Sequence, residues 1–264
     1  MKWINRSALG ALLISLVACS QSPTGRSQLT LFSDEQLSEM GGQSFAQYEK
    51  ELPVVQGQAN SYVQCVARAI TQELESGGQW EVKVFKDDSA NAFALPGGHI
   101  GVNTGLLNVA KNQDQLAAVI GHEIAHVLAS HANERVSQQA ATQTGLSVFQ
   151  AAAGLNSAGG QQLMGLLGMG AQYGILMPFS RKQESESDVL GLDLMARAGF
   201  DPRASIDLWQ NMSANSNGQP PVWMSTHPSH GQRIDLLQAQ MNDAMSYYQQ
   251  AQAAGKTPNC QSPG

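Results

Sequence analysis

Two histidines one helical turn apart with a glutamate beside them, His122-Glu123-Ile124-Ala125-His126, restrict what this 264-residue chain can fold into. Residues four apart on a helix lie nearly above one another, so both imidazoles reach one ion only if the segment is helical. The hydrophobic spacing agrees. Leu116, Val119, Ile120, Ile124, Val127 and Leu128 recur at three- and four-residue intervals, which predicts a helix over Asp114 to His131 with one buried stripe. Gly121, just ahead of the first histidine, lets another segment approach closely. Two neutral imidazoles serve as zinc ligands, and Glu123, not needed on the ion, can take a proton from a water held there. With six His and eleven Glu in the chain, chance gives this pattern in fewer than about one such chain in a hundred. Hydrolytic zinc chemistry is therefore expected.

A catalytic zinc ion usually takes three protein ligands and a water, so a third must come from elsewhere. His131 is a poor choice: on a continuous helix it lies about 140° round from His126. It also misses the HExxHxxGxxH spacing, because Ala129 stands where Gly would be and Ala132 where the third His would be. It is expected to be a solvated or helix-end histidine. The segment Phe179 to Gly191 is better, opening a helix that runs to about Ala198. There Glu184 can ligate the metal while Asp188, one turn on, accepts a hydrogen bond from a ligating imidazole. Glu186 is expected to point elsewhere. Alone, this acidic cluster reads as an ordinary helix start; the HExxH pairing gives it weight.

Four blocks in order resemble the M48 metallopeptidases, the family that includes the CAAX-prenyl endopeptidases and the bacterial membrane protease HtpX. They are Asn91 to Gly98, His122 to His126, Glu184 to Asp188, and His227-Pro228 followed by Arg233-Ile234. The family's usual Glu-Ala-Asp ending is here Glu186-Ser187-Asp188, a mild departure. The resemblance implies a gluzincin site with one zinc ion on His122, His126 and Glu184, Glu123 as base and proton shuttle, and Asp188 supporting a ligand. It also implies that His227 stabilises the oxyanion of the tetrahedral intermediate, which suits a donor aimed at developing charge. Asn91, Ala92 and Phe93 would lie along an open sheet edge, where an extended substrate adds as a strand.

Trp80 to Val102 reads as three short strands with a tight turn at Pro96-Gly97-Gly98, and His99 as a hairpin decoration. Helical patterns dominate elsewhere. The expected class is α+β: a mostly helical zincin-type domain with a small, mainly antiparallel sheet beside the HExxH helix. Gly199-Phe200-Asp201-Pro202 reads as a helix stop and start with Asp201 as cap, and Gly231 to Gln252 as a terminal helix. Val136 to Met177, rich in Ala, Gln, Gly and Met, has room for a helical hairpin. Gln161, Gln162 and Gln172 interrupt it, so no apolar run there reaches the roughly 18 residues of a membrane span. That departs from HtpX and the CAAX-prenyl endopeptidases, which carry such spans.

Lys2 and Arg6 precede the apolar run Ala8 to Val17, and Leu16-Val17-Ala18-Cys19 looks like a bacterial lipobox. Residues 1–18 are therefore expected to be a lipoprotein signal, with lipid attached at Cys19. Residues 19–32 would be a polar tether, 33–252 the metallopeptidase domain and 253–264 a tail. Ser20, following the cysteine, implies the outer membrane, facing the periplasm, in the enterobacterial sorting pattern. Cys65 and Cys260 would then sit in an oxidising compartment and form a disulfide that pins the tail. The formal charge of −6, falling to −8 without Lys2 and Arg6, makes nucleic acid an improbable partner.

The first expectation is a lipid-anchored zinc endopeptidase that cuts extended or misfolded envelope polypeptides. Its rival is a non-catalytic lipoprotein chaperone or assembly factor with a vestigial zinc site. The intact Glu123 argues against the rival, as does the lack of an evident fourth protein ligand that a closed structural site would need.

Overall fold

The computed structural model describes residues 19–74, 78–152, 179–214, 222–227 and 232–263. Two short strands, β1 (Cys19–Gln21) and β2 (Ser27–Leu29), pair antiparallel. Helix α1 (Asp34–Glu51) begins in a capping box: Ser33 accepts from the Gln36 backbone and the Gln36 side chain accepts from the Ser33 N–H. Strand β3 (Val54–Val55) leads into α2 (Gln58–Thr71), which buries Tyr62, Val63, Val66, Ala67 and Ile70 on one face.

The main sheet follows with β4 (Glu81–Phe85), β5 (Ala92–Leu95) and β6 (His99–Asn103) in the spatial order β3-β4-β6-β5. The sheet is mixed. β3–β4 and β5–β6 are antiparallel, whereas the five-residue β4–β6 pairing is parallel. The β5–β6 hairpin folds back so that β6 inserts beside β4 and leaves β5 outermost. Gly97 and Gly98 make its turn with φ of +89° and +84°, a region that favours glycine. The two sheet faces differ. Val84, Ala92, Ile100 and Val102 join the helical core, while Phe85 and Leu95 pack with Phe45 of α1.

After the short α3 (Thr104–Leu107), α4 (Gln113–Leu128) is capped by Asn112, whose side chain accepts from the Gln115 N–H. Eleven of its residues are buried, from Gln115 through His126, so it is a central helix rather than one with a single buried stripe. Ser130, with φ of +52°, breaks the chain direction before α5 (His131–Ala152). The expectation of one helix through His131 is corrected by this break. The Met- and Gly-rich stretch of the expected helical hairpin, residues 163–170, lies outside the described residues.

Helix α6 (Arg181–Arg197) opens with a second capping box, Ser180 with Gln183, and crosses α4 at two glycines. A Cβ on Gly121 would stand 2.8 Å from the Gly191 carbonyl oxygen, and one on Gly191 would stand 2.7 Å from the His122 nitrogen. This contact sets both metal blocks against each other. Helices α7 (Ala204–Ala214), α8 (Val222–Thr226) and α9 (Arg233–Ala253) complete the fold. Asp201 caps the turn before α7, with Oδ1 accepting from the Arg203 N–H at 3.0 Å.

The tail runs back over the helices, and Cys260 is joined to Cys65 of α2. Residues 19–32, read from sequence as a polar tether, dock on α5 and α6 through Arg26, which meets Glu134 and Glu186, and Gln28 is buried with its amide donating to the Ala129 carbonyl at 2.6 Å. Among the described residues no helix is long and apolar enough to cross a membrane.

Candidate metal centre

His122, Glu123 and His126 come from the buried middle of α4, and Glu184 from the first turn of α6 directly opposite. His126 Nε2 lies 3.0 Å from His122 Nε2, and Glu184 oxygens lie 3.6 Å from His122 Nε2 and 3.4 Å from His126 Nε2. Donors bonded tetrahedrally to a zinc ion at 2.0–2.1 Å stand about 3.3 Å apart, so these three converge as ligands of one small cation would. His227, at the end of α8, belongs to the same cluster: its Nδ1 is 3.3 Å from His122 Nε2 and 3.1 Å from Glu184 Oε1. The reading that no fourth protein donor exists is therefore corrected. The sequence could not show it, because His227 arrives from a segment 105 residues from His122.

Asp188 and Arg233 hold this cluster from behind. Asp188 Oδ1 is 3.1 Å from His122 Nδ1. The buried Arg233 donates to both Asp188 oxygens at 2.6 and 2.5 Å and to Glu184 Oε2 at 2.7 Å. Its guanidinium stacks 4.1 Å from the Trp209 ring. One arginine thus bridges a ligand carboxylate and the carboxylate supporting a ligand imidazole, in the planar geometry that a lysine would not reproduce.

The electrostatics follow from this packing. Burial would pull His122 down, but hydrogen bonding to Asp188 and Glu184 pushes it up to about 9. Burial holds His126 well below the ordinary histidine value, with the neighbouring His122 adding to the depression. Burial would raise Glu184, yet hydrogen bonds from His122, His126 and His227 keep it far below the usual carboxylate range. Asp188 is likewise lowered against its burial by Arg233 and His122. The surrounding carboxylates thus favour positive charge on one imidazole, at the place where a cation would go.

Glu123 is buried and held by a residue that sequence reasoning missed. Trp223 Nε1 donates to Glu123 Oε1 at 2.7 Å, and Trp223 is itself tied to the connection leading into β5 by its N–H on the Ala90 carbonyl at 3.2 Å. His227 Nε2 stands 3.4 Å from the same Glu123 oxygen. Phe179 stacks on His126 with ring centroids 3.7 Å apart, and Arg135 lies 3.6 Å above the Phe179 ring. The groove beside Glu123 is lined by Asn91, Ala92, Ala94, Arg135, Phe179 and His227. Residues Ala92 and Phe93 therefore lie on the outermost strand, bordering the centre. The Phe93 ring, however, packs on the opposite face, stacked 4.4 Å from Tyr48 and lying over Gly101.

One further expectation is overturned. His131 is fully buried, with Nδ1 2.8 Å from His126 Nδ1 and Nε2 3.1 Å from Glu186 Oε2. The break at Ser130 explains this, since the turn of a continuous helix no longer applies. Glu186, as expected, points away from the four donors, and it takes His131, Thr24 and Arg26 as partners. His99, as expected, is remote from the cluster, pairing with Glu81 and stacking on Phe45.

The family model described as Peptidase family M48 matches residues 53–241. The chain belongs to peptidase family M48. Its relatives include the mitochondrial metalloendopeptidase OMA1 of Schizosaccharomyces pombe, 42% identical over 168 residues, which are 63% of this chain and 48% of that protein. The human mitochondrial metalloendopeptidase OMA1 is 34% identical over 236 residues, 81% of this chain and 44% of its own length. The beta-barrel assembly-enhancing protease of Escherichia coli is 31% identical over 158 residues, 57% of this chain and 32% of its own. The chain thus spans about half or less of each of these three M48 relatives. M48 metallopeptidases depend on a metal, and the buried His122, His126, Glu184 and His227 could hold one.

Proposed function

We propose that this chain is a zinc-dependent endopeptidase that hydrolyses extended segments of unfolded or misfolded envelope proteins. The observation that carries this reading is a carboxylate, Glu123, held beside a convergent His-His-Glu donor set and facing a groove along a strand edge. A purely structural metal site has no use for such a base. Two imidazoles and a carboxylate favour zinc over harder cations.

When bound, zinc supplies Lewis acidity at the scissile carbonyl and lowers the pKa of a water. The protein's own groups do the rest. Trp223 occupies Glu123 Oε1, which leaves Oε2 to take the proton of the attacking water and deliver it to the departing amide nitrogen. His227, whose ring is next to Glu123, would donate to the oxyanion. Asn91, Ala92 and Phe93 border the edge that an extended substrate would join, the Asn91 carbonyl itself being held by the Asn103 N–H, and backbone pairing there would make the enzyme tolerant of sequence and selective for unfolded chains. Lipid on Cys19 anchors the protein to the outer membrane, facing the periplasm.

The test is cleavage of one protein in its reduced, unfolded form and in its native form. Proteolysis of the unfolded form alone supports the proposal. Equal cleavage of both forms refutes the substrate class. A zinc-loaded protein that cleaves neither yet suppresses aggregation of the unfolded form replaces the endopeptidase with the chaperone reading.

A further inference from the structure

Asp188 backs the ring of His122 directly, but among the described residues no carboxylate touches the outer nitrogen of His126. That nitrogen, Nδ1, faces a second imidazole: His131 Nδ1 is 2.8 Å away, and both rings are buried. We propose that His131 and Glu186, completed by Arg26 and Thr24 of the N-terminal hairpin, form a positioning relay that fixes His126 in its metal-ligating tautomer. The relay rests on the reading that His126 is a ligand.

The proton positions follow from the outer end inward. Glu186 is an ionised carboxylate and can only accept hydrogen bonds. Its Oε1 accepts from Thr24 Oγ1 at 2.5 Å, and its Oε2 from Arg26 Nε at 2.9 Å and from His131 Nε2 at 3.1 Å. A neutral His131 with its hydrogen on Nε2 has a bare Nδ1, which can only accept. His126 Nδ1 must then be the donor across the 2.8 Å contact. The remaining nitrogen of His126, Nε2, keeps its lone pair on the side where His122 Nε2 and Glu184 Oε1 stand 3.0 and 3.4 Å away. A ligating imidazole whose other nitrogen donates to a fixed acceptor has its tautomer and ring orientation set in advance.

The outer end comes from the N-terminal hairpin, remote in sequence from the metal blocks. Arg26 spans two carboxylates, donating through Nε to Glu186 and through both terminal nitrogens to Glu134 at 2.7 and 2.8 Å. Gln183, just before the ligand Glu184, donates to Glu134 at 2.8 Å. Gln28 holds the Ala129 carbonyl at the break between α4 and α5. The hairpin therefore fastens both the break that turns His131 back over His126 and the carboxylate that orients His131. A hairpin that served only to cover the surface would not need to present an arginine to two buried acids.

Two readouts on the full chain separate this relay from the metal assignment. Two-bond proton–nitrogen spectra of the histidine-labelled, metal-free protein are expected to show His126 protonated on Nδ1 and His131 on Nε2. Zinc affinity, by chelator competition, is expected to fall about 10- to 100-fold in His131→Leu. His131→Gln, whose amide keeps one acceptor and one donor, should recover most of the loss, and Arg26→Ala should weaken binding by a smaller factor. Should the leucine variant fail to fold, the tautomers and the other two variants decide. A parent with His126 protonated on Nε2, a leucine variant that binds zinc as tightly as the parent, or equal losses in the glutamine and leucine variants would overturn the relay. A parent that shows the expected tautomers but takes up no zinc would instead sink the metal reading and leave the hydrogen-bond order standing.

Discussion

Replacing Gly191 with alanine tests whether the α4–α6 crossing is what sets the metal centre. The new Cβ would stand 2.7 Å from the His122 nitrogen, 2.8 Å from its Cα and 2.9 Å from the Gly121 carbonyl carbon. All three are backbone atoms of a buried helix, so no side chain can swing aside. Restoring an ordinary contact of about 3.4 Å requires the helices to part locally by about 0.7 Å. Overpacking of this kind costs about 1–3 kcal/mol, and the better helix propensity of alanine returns about 0.5–1 kcal/mol. The expected net loss is small, about 0.5–2 kcal/mol. The functional effect should be larger, because α4 carries His122 and His126 and α6 carries Glu184, and such sites tolerate misplacement of only about 0.5 Å. Zinc affinity should fall at least about tenfold.

Gly42 of α1 is the control. Its added Cβ would meet nothing nearer than His99 Nε2 at 3.5 Å, so Gly42→Ala should gain about 0.5–1 kcal/mol. Urea midpoints at constant slope and zinc competition read both quantities. A Gly191→Ala protein with parental zinc affinity, or destabilisation of the same size by Gly42→Ala, would refute the reasoning.

The Cys65–Cys260 bridge has a sequence separation of 195; loop entropy alone gives about 5 kcal/mol for such a closure. The Cys65→Ser, Cys260→Ser double variant should lose about 3–5 kcal/mol in denaturant unfolding, and a loss below about 1 kcal/mol would contradict that estimate of the closure. His122 is raised from its ordinary 6.5 to about 9 in the metal-free protein. Its protonation therefore favours the fold fully below 6.5, and this contribution disappears as pH rises through about 9. Zinc must displace that proton, so apparent zinc affinity should rise about tenfold per pH unit across this window and level off above it; a flat profile from pH 7 to 9 would contradict the assignment. Lipidation is tested by Cys19→Ser, which should move the protein from the membrane fraction to the soluble fraction on cell lysis, whereas unchanged partition would remove the anchor.

The centre was partly legible because its two halves are local. His122, Glu123 and His126 follow a helical period, and Glu184 with Asp188 repeats it four residues apart, so each pair shares a face before any tertiary contact is known. What closes around them was not legible. Trp223 and Arg26 reach the site across long stretches of chain, and nothing in their local spacing marks them, while Arg233 stood out only as part of the fourth family block, with no partner assigned to it. His131 was misjudged for a different reason: a rotation per residue holds only while the helix continues, and Ser130 at φ +52° ends it. The same limit affected the sheet. Trp80 to Val102 announced three strands and a tight turn, but the insertion of β6 between β4 and β5 depends on which edges are free, which periodicity does not encode. The β1–β2 region looked like a tether because it is polar; its Arg26 and Gln28 are polar because they meet buried acids and an open carbonyl.

The central claim is that Glu123 moves the proton in a zinc-dependent peptide hydrolysis. The most direct test is the rate of cleavage of an unfolded substrate by the zinc-loaded Glu123→Gln protein beside the parent, with zinc content measured in both. The amide can still accept from Trp223 Nε1 through its carbonyl oxygen but cannot take the proton of water, so the account predicts parental zinc content and a rate lower by about 10²–10⁴. Equal rates in the two proteins at equal zinc content would contradict it.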